Sequence, residues 1–124
     1  MRRIVILTAF LFFCFSFVAS AGQPQDAKRE LIIFYSPGCH ACAKLKNEVM
    51  PKVEKKFKRA LSIAYRSIDD IENYKMLLGL QAKYKVKLNN VVPVLFLEGR
   101  FFAGGDKSWK LVESFIDAGL RTAI

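Results

Sequence analysis

The hydrophobic and polar positions along the chain form segments that predict four strands. The first is a continuous apolar run rich in β-branched and aromatic side chains, which is typical of a strand buried on both faces. The last two are separated by Glu98 and Gly99, a pair suited to the tight turn of a hairpin. The four predicted strands comprise residues 31–35, 61–65 with a continuation to 68, 91–97, and 100–103.

Three further segments are predicted to be helices with an apolar side, and from Cys42 the apolar residues of the first lie three and four positions apart, on one face of a helix. Pro51 lies inside the first segment and lacks an amide hydrogen, so we expect the helix to kink or end near Met50. Asp69 and Asp70 precede the second segment and can cap it. The apolar positions are Leu45, Val49, Val53 and Phe57 in the first helix, Tyr74, Leu77, Leu78 and Tyr84 in the second, and Trp109, Val112, Phe115 and Ile116 in the third.

The resulting order is β-α-β-α-β-β-α, which predicts an α/β fold with a four-stranded mixed sheet flanked by helices. The first two strands are joined through a helix, so they should be parallel with a right-handed crossover. The hairpin adds an antiparallel pair. One domain at 30–124, preceded by a polar leader at 22–29, accounts for the chain after its first 21 residues.

Residues 1–21 have the layout of a secretory signal peptide. Two arginines precede an apolar run, and the small residues Ala19 and Ala21 mark a cleavage site before Gly22. We therefore expect an exported protein, located in a bacterial periplasm. The alternative is an uncleaved segment that anchors the protein in the membrane. Acylation at Cys14 is disfavoured because bulky Phe12 and Phe13 precede it.

The chain is basic, with a formal net charge of +9. Residues 44–59 carry seven Lys or Arg against Glu48 and Glu54 only. This run is interpreted as a solvated helix face, with a patch for an acidic partner or an anionic lipid as the alternative. We expect no nucleic-acid partner, because the sequence has no binding motif of that kind and is exported.

Removal of the signal peptide takes away Cys14 and leaves Cys39 and Cys42, three residues apart. An exported protein meets an oxidising compartment, yet a bridge over so short a loop contributes little stability. The pair is therefore predicted to be chemically active. Cys39 lies where a strand ends and a helix begins, which favours its thiolate, and Cys42 one turn later would resolve the mixed disulfide.

His40 lies between the two cysteines and has two open interpretations, an exposed residue that tunes the redox potential or a direct participant. A metal site is not expected. A closed zinc site needs four ligands, and the two cysteines and one histidine of the mature chain supply too few, although a cluster shared between two chains stays open.

Two stretches resemble glutaredoxins within the thioredoxin superfamily: residues 34–42, which contain the cysteine pair, and Val92-Pro93 followed by a Gly-Gly-Asp turn. The resemblance implies that Pro93 is cis and lies beside the first cysteine, and that the Val92 backbone pairs with an extended substrate segment. It further implies that Gly104, Gly105 and Asp106 hold glutathione.

The chain also departs from these families. The aspartate follows the two glycines directly, whereas glutaredoxins place one residue between them. Thioredoxins and periplasmic disulfide oxidases carry a buried acid six residues before the first cysteine, and this chain has Ile33 there. Resolution would then depend on water or on His40.

The sequence predicts an exported, monomeric thiol–disulfide oxidoreductase that acts on thiol or disulfide proteins and on a redox partner. It needs no cofactor beyond its own cysteine pair. The alternatives are a glutathione-linked, glutaredoxin-like enzyme and a non-catalytic binding module with the same fold.

Overall fold

A computed structural model describes residues 28–89, 91–104 and 107–122. The predicted signal peptide, most of the leader, Gly105 and Asp106 lie outside the described residues. Within the described ranges no helix combines the length and the apolar character needed to cross a membrane.

Four strands form one mixed sheet in the order β2-β1-β3-β4. As predicted, β1 and β2 are parallel, whereas β3 is antiparallel to both β1 and β4. The strands are β1 (Arg29–Tyr35), β2 (Leu61–Ser67), β3 (Val94–Leu97) and β4 (Arg100–Ala103).

Two strand boundaries differ from the prediction. β1 begins at Arg29, within the predicted leader, because the Arg29 amide already donates to the Ala60 carbonyl at 2.8 Å. β3 begins at Val94 and not at residue 91, since Pro93 has no amide hydrogen to offer a neighbouring strand. The predicted hairpin turn is confirmed, with Glu98 and Gly99 both at positive φ, 49° and 77°.

The first predicted helix is interrupted near Met50, as Pro51 required. It consists of α1 (His40–Lys44), a π-helical turn (Leu45–Val49) and α2 (Met50–Lys56). In the π-helical turn the Met50 amide donates to the Leu45 carbonyl five residues back. Pro51 then lies in the first turn of α2, where a missing amide hydrogen costs no helical hydrogen bond.

The other helices are α3 (Ile71–Lys83) and α4 (Trp109–Thr122). Asp70 caps α3, because its carboxylate accepts from the Glu72 amide at 2.8 Å. The predicted apolar face of α3 is only partly right. Leu77 is buried, but Leu78 is 43% exposed, since the side facing the sheet runs through Met76 and Leu80.

Hydrophobic side chains fill both sides of the sheet, unequally. The larger core lies between the sheet, the α1–α2 segment and α4, and the smaller core lies under α3. The larger core contains Leu31, Ile33, Leu45, Val49, Met50, Val53, Phe57, Leu61, Leu95, Leu97, Val112, Phe115 and Ile116. The smaller core contains Ile32, Phe34, Leu77, Val94 and Phe96.

Candidate active site

Cys39 and Cys42 form a disulfide at the point where the chain leaves β1 and enters α1. A turn at residues 36–39 reverses the chain, and the Cys39 amide donates to the Ser36 carbonyl at 3.0 Å. Cys39 is the N-terminal cap of α1, with an extended backbone. The sequence thus places the first cysteine outside the helix and the second inside it.

The two sulfur atoms have different surroundings. Cys39 is half-buried, whereas Cys42 is only 6% exposed. The Cys42 amide donates to Cys39 Sγ at 3.1 Å, so an orphan donor of the first helical turn points at the more accessible sulfur. A backbone N–H in this position also stabilises negative charge on Cys39 Sγ when the bridge is reduced.

The loop before β3 comes next to Cys39 from a distant part of the sequence. The Val92 carbonyl oxygen lies 3.6 Å from Cys39 Sγ. The Val92–Pro93 peptide bond is cis, and Pro93 is buried. The structure therefore brings together Cys39, Cys42, Val92 and Pro93, four residues that the sequence predicts as site residues.

The β2-β1-β3-β4 order with antiparallel β4, helices on both sides and a disulfide at the start of the first helix decides the fold. The chain has a thioredoxin-like fold. The predicted α/β class and element order are both confirmed.

Comparisons with known proteins add little to this assignment. No family model matches the sequence, and no curated protein matches it. One solved structure, described as "Solution Structure of a Putative Thioredoxin from Neisseria meningitidis", is 22% identical and has a TM-score of 0.42, with 76% of this chain and 75% of that chain covered. The assignment depends on this chain's own topology and not on that likeness.

A cavity of about 180 Å³ adjoins the disulfide of this thioredoxin-like domain, on the side of the larger core. Its walls come from both cysteines, from β1 and β2, and from the π-helical turn. They are formed by Ile33, Tyr35, Ser36, Pro37, Cys39, Cys42, Ala43, Leu45, Lys46 and Tyr65. Ile33 is 1% exposed, so the position of the missing acid is filled by core hydrocarbon.

Tyr65 and Lys46 bring polar groups to this cavity. Tyr65 pairs with Ile33 across the parallel strands, and the Lys46 Nζ atom lies 5.2 Å from the centroid of its ring. Burial raises the pKa of Tyr65 above its ordinary value, and the nearby Glu54 carboxylate acts in the same direction. The phenol is therefore neutral at physiological pH and can donate a hydrogen bond.

His40 lies elsewhere. Its side chain is exposed and borders a wider groove of about 530 Å³ between α1 and the start of α4. Lys44, Lys52 and Lys107 also line this groove, with Glu48 as the acidic member. Two cations of the basic run, Lys44 and Lys52, thus share a groove with His40.

The predicted glutathione residues are described only in part, since Gly105 and Asp106 lie outside the described residues. Gly104 has a positive φ of 67°, and its carbonyl accepts from Lys107 Nζ at 2.7 Å. The Lys107 ammonium also lies 4.1 Å from the centroid of the Phe102 ring. Within the described part of the chain, no group of three or more His, Cys, Asp or Glu side chains could hold a metal ion.

Sequence reasoning does not find Tyr65 or Lys46 as site residues. The sequence marks Tyr65 only as part of an alternating strand, and Lys46 only as one of many cations. The pairing of the two parallel strands could have identified Tyr65, because the residue opposite Ile33 on β2 has to face the same side of the sheet.

Proposed function

We propose that this protein is an exported thiol–disulfide oxidoreductase that exchanges disulfides with other proteins as a monomer. The observation that carries the proposal is the difference between the two sulfur atoms of one short bridge. Cys39 is half-buried with its Sγ beside the Val92 carbonyl, whereas Cys42 is buried one helical turn away. Export is supported by the signal-like residues 1–21.

Exchange starts from the reduced protein when the Cys39 thiolate attacks a substrate disulfide. A bond forms between Cys39 Sγ and one substrate sulfur, and the substrate bond breaks, releasing the other sulfur as a thiolate that takes a proton from water. Cys42 then attacks Cys39 Sγ, and the second substrate thiolate leaves. Two electrons have passed to the substrate, and reversal of these steps oxidises a dithiol.

Substrate positioning is assigned to Val92 and Pro93. The Val92 carbonyl is next to the attacking sulfur, so an extended substrate segment could donate a backbone N–H to it while its own sulfur meets Cys39. Pro93 is buried and has no amide hydrogen, which leaves the backbone of Val92 as the pairing element at this point.

The test is to measure disulfide exchange with a disulfide-bonded protein, using Cys39→Ser and Cys42→Ser variants. Cys39→Ser should lose all exchange, whereas Cys42→Ser should accumulate mixed disulfides with the substrate. Retained exchange in Cys39→Ser, or trapping by that variant instead, would contradict the proposed roles.

The direction of electron flow follows from the equilibrium redox potential of the Cys39–Cys42 pair. A potential of about −120 mV would indicate an oxidase, and one of about −270 mV a reductase.

Two arms of the same assay address the alternatives. Turnover that requires glutathione would favour a glutaredoxin-like enzyme over exchange with proteins. The groove that contains Lys44, Lys52 and Lys107 is the observation that favours a binding module for an acidic partner. If the parent shows no exchange, and partners bind equally well to a Cys39→Ser, Cys42→Ser double variant, the binding module is the better assignment.

Export has its own measurement. The N-terminus of protein recovered from the exported fraction should be Gly22. A protein that retains Met1 or Arg2 would instead indicate a membrane anchor.

A further inference from the structure

Resolution of a mixed disulfide requires Cys42 to become a thiolate inside the protein. Its side chain is 6% exposed, and burial disfavours the charged form of a thiol. Ile33, which is on the cavity wall, has no polar atom with which to offset this cost. Some other group must stabilise the negative charge if the second step is to proceed near neutral pH.

Polar side chains on the wall of the cavity beside the disulfide include Tyr35, Ser36, Tyr65 and Lys46, and the last two lie together. Tyr65 reaches it from β2, opposite Ile33 in the sheet, and Lys46 reaches it from the π-helical turn. Because the Lys46 Nζ atom lies 5.2 Å from the centroid of the Tyr65 ring, the cation and the phenol form one local cluster. His40 is not on the wall of this cavity.

We propose that Tyr65 and Lys46 stabilise the Cys42 thiolate in the reduced protein, Tyr65 by donating its hydroxyl hydrogen and Lys46 through its charge. This inference rests on the proposed exchange function and names the groups that support its resolving step. The sequence predicts that resolution depends on water or on His40; the inference assigns the support of the thiolate instead to a phenol and an ammonium on the wall of a cavity that His40 does not line.

Other charged and titratable groups near Tyr65 are consistent with this role. Burial and, secondarily, Glu54 of α2 keep the phenol protonated, so Tyr65 acts as a donor and not as a base. Tyr35 of β1 packs edge-on against the Tyr65 ring, with centroids 6.4 Å apart. Lys46 approaches the face of the same ring.

The resolving step needs no reactant beyond the protein, the bound substrate and water. The Cys42 proton passes to water at the cavity mouth, and the Cys42 thiolate attacks Cys39 Sγ. The Cys39–Cys42 bond forms, the bond from Cys39 to the substrate breaks, and the substrate sulfur leaves with the electron pair and takes a proton from solvent. Tyr65 and Lys46 keep their protons throughout.

The experiment measures the Cys42 thiol directly, so it needs no substrate. In a Cys39→Ser background the thiolate absorbance of Cys42 is titrated with Tyr65 intact and with Tyr65→Phe. Loss of the donor should raise the thiol pKa and leave about tenfold less Cys42 thiolate at neutral pH. Lys46→Gln should change the pKa in the same direction, and because Lys46 is exposed this variant keeps the fold.

Matched controls come from the same region. Tyr35→Phe changes the second phenol on the cavity wall, and Lys44→Gln removes an exposed cation that borders the other groove. Both should leave the Cys42 titration unchanged. In the protein with both cysteines, Tyr65→Phe should slow release of the substrate thiol near neutral pH, and the release rate should recover as the pH rises. The rate at which the mixed disulfide forms should be unaffected.

Unchanged Cys42 titrations in both Tyr65→Phe and Lys46→Gln would overturn the inference, as would an equal change in Tyr35→Phe. If the wild-type protein exchanges no disulfides, the proposed function fails. The titration still decides whether these two side chains stabilise the buried thiolate.

Discussion

Burial of the Tyr65 ring changes how its hydroxyl group titrates, and protein stability can report this change. Burial and, secondarily, Glu54 raise the pKa of Tyr65 in the folded protein. The unfolded chain therefore releases this proton at lower pH than the folded protein does. The contribution of Tyr65 to the free energy of unfolding is fully present below pH about 10, the ordinary tyrosine pKa. It is lost as the pH rises through the pKa of Tyr65 in the folded protein.

We accordingly predict that the free energy of unfolding of the wild type falls more steeply above pH about 10 than that of Tyr65→Phe, which has no phenol to ionise. Denaturant unfolding at a series of pH values measures both slopes. Tyr74→Phe on α3 is the control, since Tyr74 lies on the surface of another helix and should follow the wild type. Parallel slopes for wild type and Tyr65→Phe would show that the ring is solvated.

The same residue marks the limit of what the sequence could predict about the site. Cys39 and Cys42 are recognisable because their spacing is a local pattern and places one sulfur at a helix start. The partnership of Tyr65 with Ile33 depends on the register between two parallel strands, which is fixed by the length and packing of everything between them. Local pattern carries no information on that register.

Individual helices show how a glycine's surroundings decide its effect. Gly79 of α3 and Gly119 of α4 both lie within helices, yet a Cβ at Gly79 would meet nothing within 4 Å. At Gly119 it would lie 2.6 Å from Leu97 Cδ2 and 3.0 Å from Leu97 Cγ, in the larger core. The same substitution should therefore have opposite effects.

Gly79→Ala should stabilise the protein by about 0.5–1 kcal/mol, because alanine loses less backbone entropy in a helix. Gly119→Ala should destabilise it by about 1–3 kcal/mol, since Leu97 is fully buried and must move. Chemical denaturation of the two variants beside the wild type measures both changes. A stabilised Gly119→Ala would mean that Leu97 can rotate away at little cost.

Helix interruption by Pro51 was predictable, but its form was not. The apolar positions Leu45, Val49, Val53 and Phe57 are four residues apart, and in a regular α-helix such positions drift by about 40° at each step. The π-helical turn at Leu45–Val49 adds a residue to one turn and reduces the drift, so that all four side chains reach the larger core. Packing of these side chains against the larger core decides whether the chain forms a kink, a break or a wider turn.

Across the whole molecule, the basic side chains at 44–59 lie in different surroundings, which composition alone could not predict. Lys46 lies on the cavity by the disulfide, and Lys44 and Lys52 border the groove on the His40 side. Lys56 instead pairs with Glu113 of α4 at 3.0 Å, joining the two helices over the larger core. All seven cations of the run are exposed, as the interpretation as a solvated face requires, and three of them also border the cavity or the groove.

The unequal cores on the two sides of the sheet predict unequal local stability. Leu77 is the buried residue of α3, whereas α4 buries Val112, Phe115 and Ile116. Opening of α3 thus exposes less apolar surface than opening of α4, so α3 should unfold locally more readily than α4.

We predict that backbone amides in the middle of α3 exchange with solvent deuterium at least about tenfold faster than those in the middle of α4. Native-state hydrogen exchange followed by NMR or mass spectrometry measures this ratio, with the amides of β1 as the slow reference. Leu77→Ala provides a second arm, since it should accelerate exchange in α3 more than in α4. Equal protection of the two helices, unchanged in their ratio by Leu77→Ala, would mean that the domain opens only as one cooperative unit and that the asymmetry of its cores has no effect on its dynamics.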